Sequence, residues 1–263
     1  MSNYSTLLFD IRDNVARITL NRPEAGNALN MQMAKELMEA ALLCDEDPQV
    51  RAVLLSGAGK NFCLGGDLKS FAAQGEGMPT HLKDVTTYFH AAASRFVRGK
   101  APVVAAVQGA VAGGGLSLAC ACDLVLAAES AKFTMAYTKI GLTPDGSGSY
   151  FLPRLVGLKR AMELTLTNRL FSAREAEHWG IVTRIVPDGE LMAQADALAV
   201  QLASGPTLAY GAAKRLLHSG WTEPIETQME HESRSIADMG RTADAREGIA
   251  AFLAKRQPTY KGQ

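Results

Sequence analysis

The chain has 263 residues, 47% hydrophobic and 21% charged, enough apolar material for one large globular unit with an ordinary solvated surface. Lys plus Arg and Asp plus Glu stand at 27 each, so no global field favours nucleic acid or an anionic membrane. No early segment reads as a signal peptide, no apolar run reaches the length of a membrane span, and Cys44, Cys63, Cys120 and Cys122 lack metal-ligand spacing, which together point to a cytoplasmic protein with reduced thiols and no metal.

In chain order, Ala16, Ile18 and Leu20 alternate with Arg17 and Thr19, the pattern of a half-buried strand. Asn30 is placed to cap a helix carrying Met33, Leu37, Ala40 and Ala41 on one face. That helix sets Lys35 against Glu36 and Glu39, so it lacks the basic face an RNA-binding helix needs. Residues 50–56 read as a strand, and residues 71–80, with two glycines and a proline, as a mobile loop. Residues 81–98 read as a helix stopped by Gly99, and 102–107 as a strand. A glycine turn into a helix follows, and then a strand at 123–128. From Leu158 onward the pattern is helical apart from residues 180–187. The strand-strand-helix rhythm predicts an α/β core.

Two stretches carry chemistry. The first is Gly109-Ala110-Val111-Ala112-Gly113-Gly114-Gly115, where a valine-rich strand runs through three consecutive glycines into a helix. Three adjacent glycines are costly to order, which implies that the backbone itself comes close to something. Such a turn aims unpaired N–H groups outward at a helix N-terminus, a place suited to a phosphate or a developing oxyanion. The second, Asn61-Phe62-Cys63-Leu64-Gly65-Gly66-Asp67, is another glycine loop after a strand.

These loops, with Leu20-Asn21-Arg22-Pro23-Glu24-Ala25-Gly26-Asn27, Ala121-Cys122-Asp123-Leu124 and Leu152-Pro153-Arg154-Leu155-Val156-Gly157, resemble the crotonase (enoyl-CoA hydratase/isomerase) superfamily over nearly the whole chain. The resemblance implies a spiral of repeated ββα units over residues 1–200, and a C-terminal helical trimerisation region over 201–263. It implies an acyl-CoA thioester substrate, coenzyme A entering as part of that substrate with no separate cofactor. The backbone N–H groups of Gly66 and Gly114 become the oxyanion hole, and Arg22, Ala25, Leu64, Leu68 and Lys69 lie near the nucleotide. Leu64 stands where the family usually has a small residue. Phe252 and Lys255, expected one turn apart on a helix, would reach coenzyme A bound by an adjoining subunit of a trimer or hexamer.

The family's hydratases use two glutamates, and their positions here hold Ser117 and Tyr137. Adding water across a double bond needs one group to activate water and another to protonate carbon, and neither hydroxyl ionises readily near neutral pH. The resemblance therefore disfavours hydration. Asp145, in Thr143-Pro144-Asp145-Gly146-Ser147, stands where the family's isomerases place one acid, and this loop resembles that of the ring-opening isomerases of phenylacetate catabolism. Asp145 also fits a plain N-cap of a helix over 146–155. A second resemblance, to the 4-chlorobenzoyl-CoA dehalogenases, makes Asp145 a nucleophile, His90 the base and Tyr137 an approximate orienting group, although Gly66 and Asp67 depart from that pattern. A non-catalytic binding protein of this fold is a further alternative.

Overall fold

A hairpin opens the chain: β1 (Leu7–Arg12) and β2 (Val15–Leu20) pair antiparallel around Asp13 and Asn14, both in the left-handed conformation that tight hairpin turns require. The computed structural model describes residues 4–263, so the first three residues of the expected 1–200 core lie outside the described residues. After the hairpin come α1 (Met31–Glu46), β3 (Ala52–Gly57), α2 (Leu68–Ala72), α3 (Met78–Arg98), β4 (Val103–Val107), β5 (Ala110–Ala112), α4 (Gly114–Ala121), β6 (Leu124–Ala128) and β7 (Lys132–Thr134). The remainder is α5 (Gly148–Val156), α6 (Leu158–Thr167), β8 (Phe171–Ser172), α7 (Ala173–His178), β9 (Arg184–Val186), α8 (Leu191–Ala203), α9 (Thr207–Ser219), α10 (Ile225–Gly240) and α11 (Ala243–Leu253).

The main sheet runs β1-β2-β3-β4-β6-β9, and every pair in it except the opening hairpin is parallel. A smaller sheet, β5-β7-β8, stands beside it. Parallel strands are buried on both faces and read as continuous apolar runs, as β3 and β4 do. Helix α8 packs on β3 and β4, and α1 packs against α3. This is the expected α/β spiral with helices gathered at the C-terminal end.

The structure corrects three local expectations. β2 is not half-buried: Arg17 is itself buried, because α8 covers that face and supplies Asp196, whose Oδ1 lies 2.7 Å from Arg17 Nε. Residues 71–80 are not an open loop. Asp67 caps α2 by accepting from the Ser70 N–H at 3.1 Å, and α3 already begins at Met78, with Pro79 in its first turn where no N–H is missed. Asp145 does not cap α5; that helix starts at Gly148 with no side-chain cap, and the Asp145 carboxylate is engaged elsewhere. Among the described residues, no helix is long and apolar enough to cross a membrane, and no three His, Cys, Asp or Glu side chains cluster to hold a metal.

Candidate active site

Because β3 and β4 are parallel neighbours, the loops at their C-terminal ends emerge side by side. Backbone bonds lock them together. The Ala112 N–H donates to Cys63 O at 2.9 Å, the Leu29 N–H to Gly65 O at 2.7 Å, and the Asp67 N–H to Leu29 O at 2.9 Å. Buried Asn27 ties the opening motif to the same loop, its Nδ2 donating to Ala58 O at 2.9 Å and Asn61 O at 2.8 Å. The glycine triplet now has a reason. Gly113 turns through φ +51°, and a Cβ on Gly115 would sit 2.4 Å from Cys63 O, so only glycine lets the loops approach this closely. The N–H groups of Gly66 and Gly114 have no partner among the described residues, and both residues line one cavity of about 290 Å³. Helix α4, buried on every side, starts at Gly114.

Asp145 is the one carboxylate lining that cavity, among the described residues. The Tyr137 hydroxyl donates to Asp145 Oδ1 at 2.5 Å. Its single proton is thereby committed, so the Ser117 hydroxyl, 2.9 Å away and fully buried, donates to the Tyr137 oxygen. Burial raises the Asp145 carboxyl above the usual carboxylate range, and the hydrogen bond from the Tyr137 hydroxyl offsets that only in part. Burial, with the facing Asp145 charge, keeps the Tyr137 phenol protonated. Leu82, Val85 and Phe89 of α3 and Leu142 close the cavity with apolar surface. These lining residues were not singled out from sequence; the spacing of three and four between Leu82, Val85 and Phe89 is the signal that could have found them.

The other expected residues fall in three places. Leu64 and Leu68 line both this cavity and an adjoining one of about 840 Å³, where Arg22, Ala25 and Lys69 also lie. Arg22 is already paired there, its Nη2 being 2.8 Å from Asp67 Oδ2, and its Nη1 donates to Ala28 O at 2.6 Å. His90 lines a separate cavity of about 850 Å³ behind Asp145, and its Nε2 accepts from the Gly146 N–H at 3.0 Å. Phe252, 83% exposed, lines none of these three cavities. Nor does Lys255, which is not on the helix with it. α11 ends at Leu253, and Lys255 lies beyond in the left-handed conformation.

Comparison with known proteins agrees with this geometry. The family model for enoyl-CoA hydratase/isomerase matches residues 10–263. The chain is 41% identical to a protein of Rhodobacter capsulatus named probable enoyl-CoA hydratase, over 99% of this chain and all of that one. It is 39% identical to the 1,2-epoxyphenylacetyl-CoA isomerase of Escherichia coli, over 98% of each chain. With a 4-chlorobenzoyl coenzyme A dehalogenase of Arthrobacter it shares 36%, over 92% of this chain and 88% of the other. A crystal structure of enoyl-CoA hydratase from Bacillus anthracis superposes with a TM-score of 0.92 at 34% identity, covering 98% of this chain and all of that one. From the paired glycine loops to the spiral sheet, the chain belongs to the enoyl-CoA hydratase/isomerase family, the crotonase superfamily.

Proposed function

We propose that this protein is an acyl-CoA isomerase that works through a thioester enolate, with Asp145 as its acid and base. One observation carries the reading: a single carboxylate lines the cavity that holds the two free glycine N–H groups, and the two hydratase-glutamate positions hold Ser117 and Tyr137, hydrogen-bonded in line toward it. The thioester oxygen accepts from the Gly66 and Gly114 N–H groups, fixed before charge develops, each such donor being worth about 3–4 kcal/mol of barrier. Asp145 removes a proton from the carbon next to the thioester of a 3-enoyl chain. It returns that proton to the γ carbon of the resulting dienolate, which shifts the double bond. The reaction needs no second acid and no water. Leu64 and Leu68 flank the thioester side, and in the adjoining cavity Lys69, without an ion-pair partner among the described residues, is a cation available to a coenzyme A phosphate. The exposed apolar side chains Ile225, Ile236, Phe252 and Leu253 support association into a trimer or hexamer through the 201–263 region, with Phe252 and Lys255 serving a neighbour's site. Four free cysteines, three of them buried, fit a cytoplasmic enzyme.

The hydratase reading meets a specific obstacle. Neither Ser117 nor Tyr137 supplies a carboxylate, and Asp145 alone cannot both activate water and protonate carbon. The expected result is conversion of a 3-enoyl-CoA to its conjugated isomer, seen as a rise in thioester absorbance. Loss of that absorbance from crotonyl-CoA should be feeble or absent. Crotonyl-CoA hydration at a rate typical of the family's hydratases would overturn the assignment.

The acid limb of the isomerisation tests the Tyr137 contact. Asp145 must be ionised to take a proton, so kcat/KM falls as pH drops through its raised pKa. The Tyr137 hydroxyl stabilises the ionised form. Tyr137→Phe removes that bond and should move the acid limb to higher pH, with the alkaline plateau much less affected. A limb that stays in place would separate Tyr137 from Asp145.

A further inference from the structure

The residue beside Asp145 is held from two directions by consecutive residues of α3. A Cβ on Gly146 would lie 2.3 Å from Phe89 Cε1, so the buried Phe89 ring packs directly on this glycine, whose φ of +57° suits no bulky side chain. On its other side the Gly146 N–H donates to His90 Nε2 at 3.0 Å. To accept, Nε2 must be unprotonated, so the hydrogen of the neutral ring sits on Nδ1. The lone pair that a water-activating base would use is therefore occupied by backbone. His90 also lines the cavity behind Asp145 and not the one that contains Gly66 and Gly114.

We propose that His90 is a positioning residue: as the neutral Nδ1–H tautomer it anchors Gly146, and through it fixes where the Asp145 carboxylate stands against the oxyanion donors. Tyr137 holds one end of that residue by Oδ1, and His90 holds the other through the next peptide. Neither contact transfers the proton itself. The chemistry still depends on both, because a proton-transfer group displaced by about 1 Å loses on the order of 10²-fold in rate.

The role rests on the isomerase reading, and the experiment separates the two. Kinetics of His90→Ala and His90→Gln with a 3-enoyl-CoA are compared, together with amide exchange at Gly146 and the 15N signals of His90 in the unliganded protein. Gln offers Oε1 at the same distance along the side chain as Nε2. His90→Ala should lower kcat about 10- to 100-fold with KM changed little, since the oxyanion donors and coenzyme A contacts stay in place. His90→Gln should recover most of the loss. Gly146 exchange should speed up in the alanine variant only, and the wild-type signals should show Nε2 without hydrogen. Equal loss in both variants, a change confined to KM, unaltered Gly146 exchange, or hydrogen on Nε2 would each overturn the role. Absence of any isomerisation by wild type would instead defeat the isomerase reading, while the exchange and 15N results would still decide whether His90 anchors Gly146.

Discussion

Asp145→Asn should lower isomerase turnover by about 10²–10⁴-fold while leaving the fold intact. Asparagine keeps the size of the side chain, and its carbonyl oxygen can still accept from the Tyr137 hydroxyl at the position now held by Oδ1. What it loses is the capacity to bind and release a proton. Burial already disfavours the ionised carboxylate here, so removing the charge should cost no stability and can raise the melting temperature. KM should move little, because Gly66, Gly114 and the adjoining cavity are untouched. The two measurements together are diagnostic. A fall in turnover without a fall in melting temperature identifies the proton carrier, whereas wild-type isomerisation that survives the substitution would sink the mechanism. The same variant discriminates the dehalogenase alternative. Chloride release from 4-chlorobenzoyl-CoA by wild type that needs both Asp145 and His90 as base would move the chain to that chemistry, and the Gly146 N–H on Nε2 argues against it.

The paired glycine loops were legible in the sequence because glycine reports backbone directly. A triplet such as Gly113-Gly114-Gly115 has few uses besides a tight turn and a close approach, and here Cys63 O supplies the approach. Strands β3, β4 and β6 were legible because burial on both faces leaves uninterrupted apolar runs. Periodicity failed where a polar residue was buried by a partner distant in sequence. Arg17 read as solvent-facing because its partner Asp196 lies 179 positions away. The Ser117–Tyr137–Asp145 line was equally hidden. Each residue could be placed by motif, but that Tyr137 spends its proton on Asp145 and receives one from Ser117 depends on where β7, α4 and α5 meet. Asp145 illustrates the limit most clearly. As a sequence position it fitted a helix cap as well as a catalytic acid, and what sets the cap aside is the 2.5 Å contact with Tyr137 and the absence of any side-chain cap on α5. His90 was noticed as a candidate base, yet its bond to Gly146 spans 56 positions and left no local trace.

Lys214→Met should destabilise the protein by about 3–5 kcal/mol while sparing turnover per folded molecule. Lys214 lies on α9 and is only 8% exposed. All three of its ammonium hydrogens have acceptors: Asp123 Oδ2 at 2.6 Å, Phe96 O at 2.9 Å and Ala101 O at 3.1 Å. Asp123 Oδ2 accepts in turn from the Val103 N–H at 2.7 Å. One cation thus joins the helical C-terminal region to the end of α3 and to the starts of β4 and β6. Methionine fills much of the same volume, so the loss is not chiefly one of packing. It is that the largely buried Asp123 carboxylate keeps its charge with its countercharge gone, which costs more than the pair itself contributed. The pH dependence gives the signature. Burial raises the Asp123 pKa, and Lys214 is the main influence opposing it. Without Lys214 the folded-state pKa climbs further above the unfolded one, so the ionisation penalty is full at neutral pH and disappears as pH falls and Asp123 protonates. The variant's deficit should therefore be largest near pH 7, roughly 10 °C in melting temperature for a chain of this size, and should narrow on acidification. Asp123→Asn in the Lys214→Met background should recover part of the loss at neutral pH, because the amide keeps an acceptor for Val103 and carries no charge. A deficit that is the same at every pH, or a double variant no better than Lys214→Met alone, would show that the cost lies in packing and not in the stranded carboxylate.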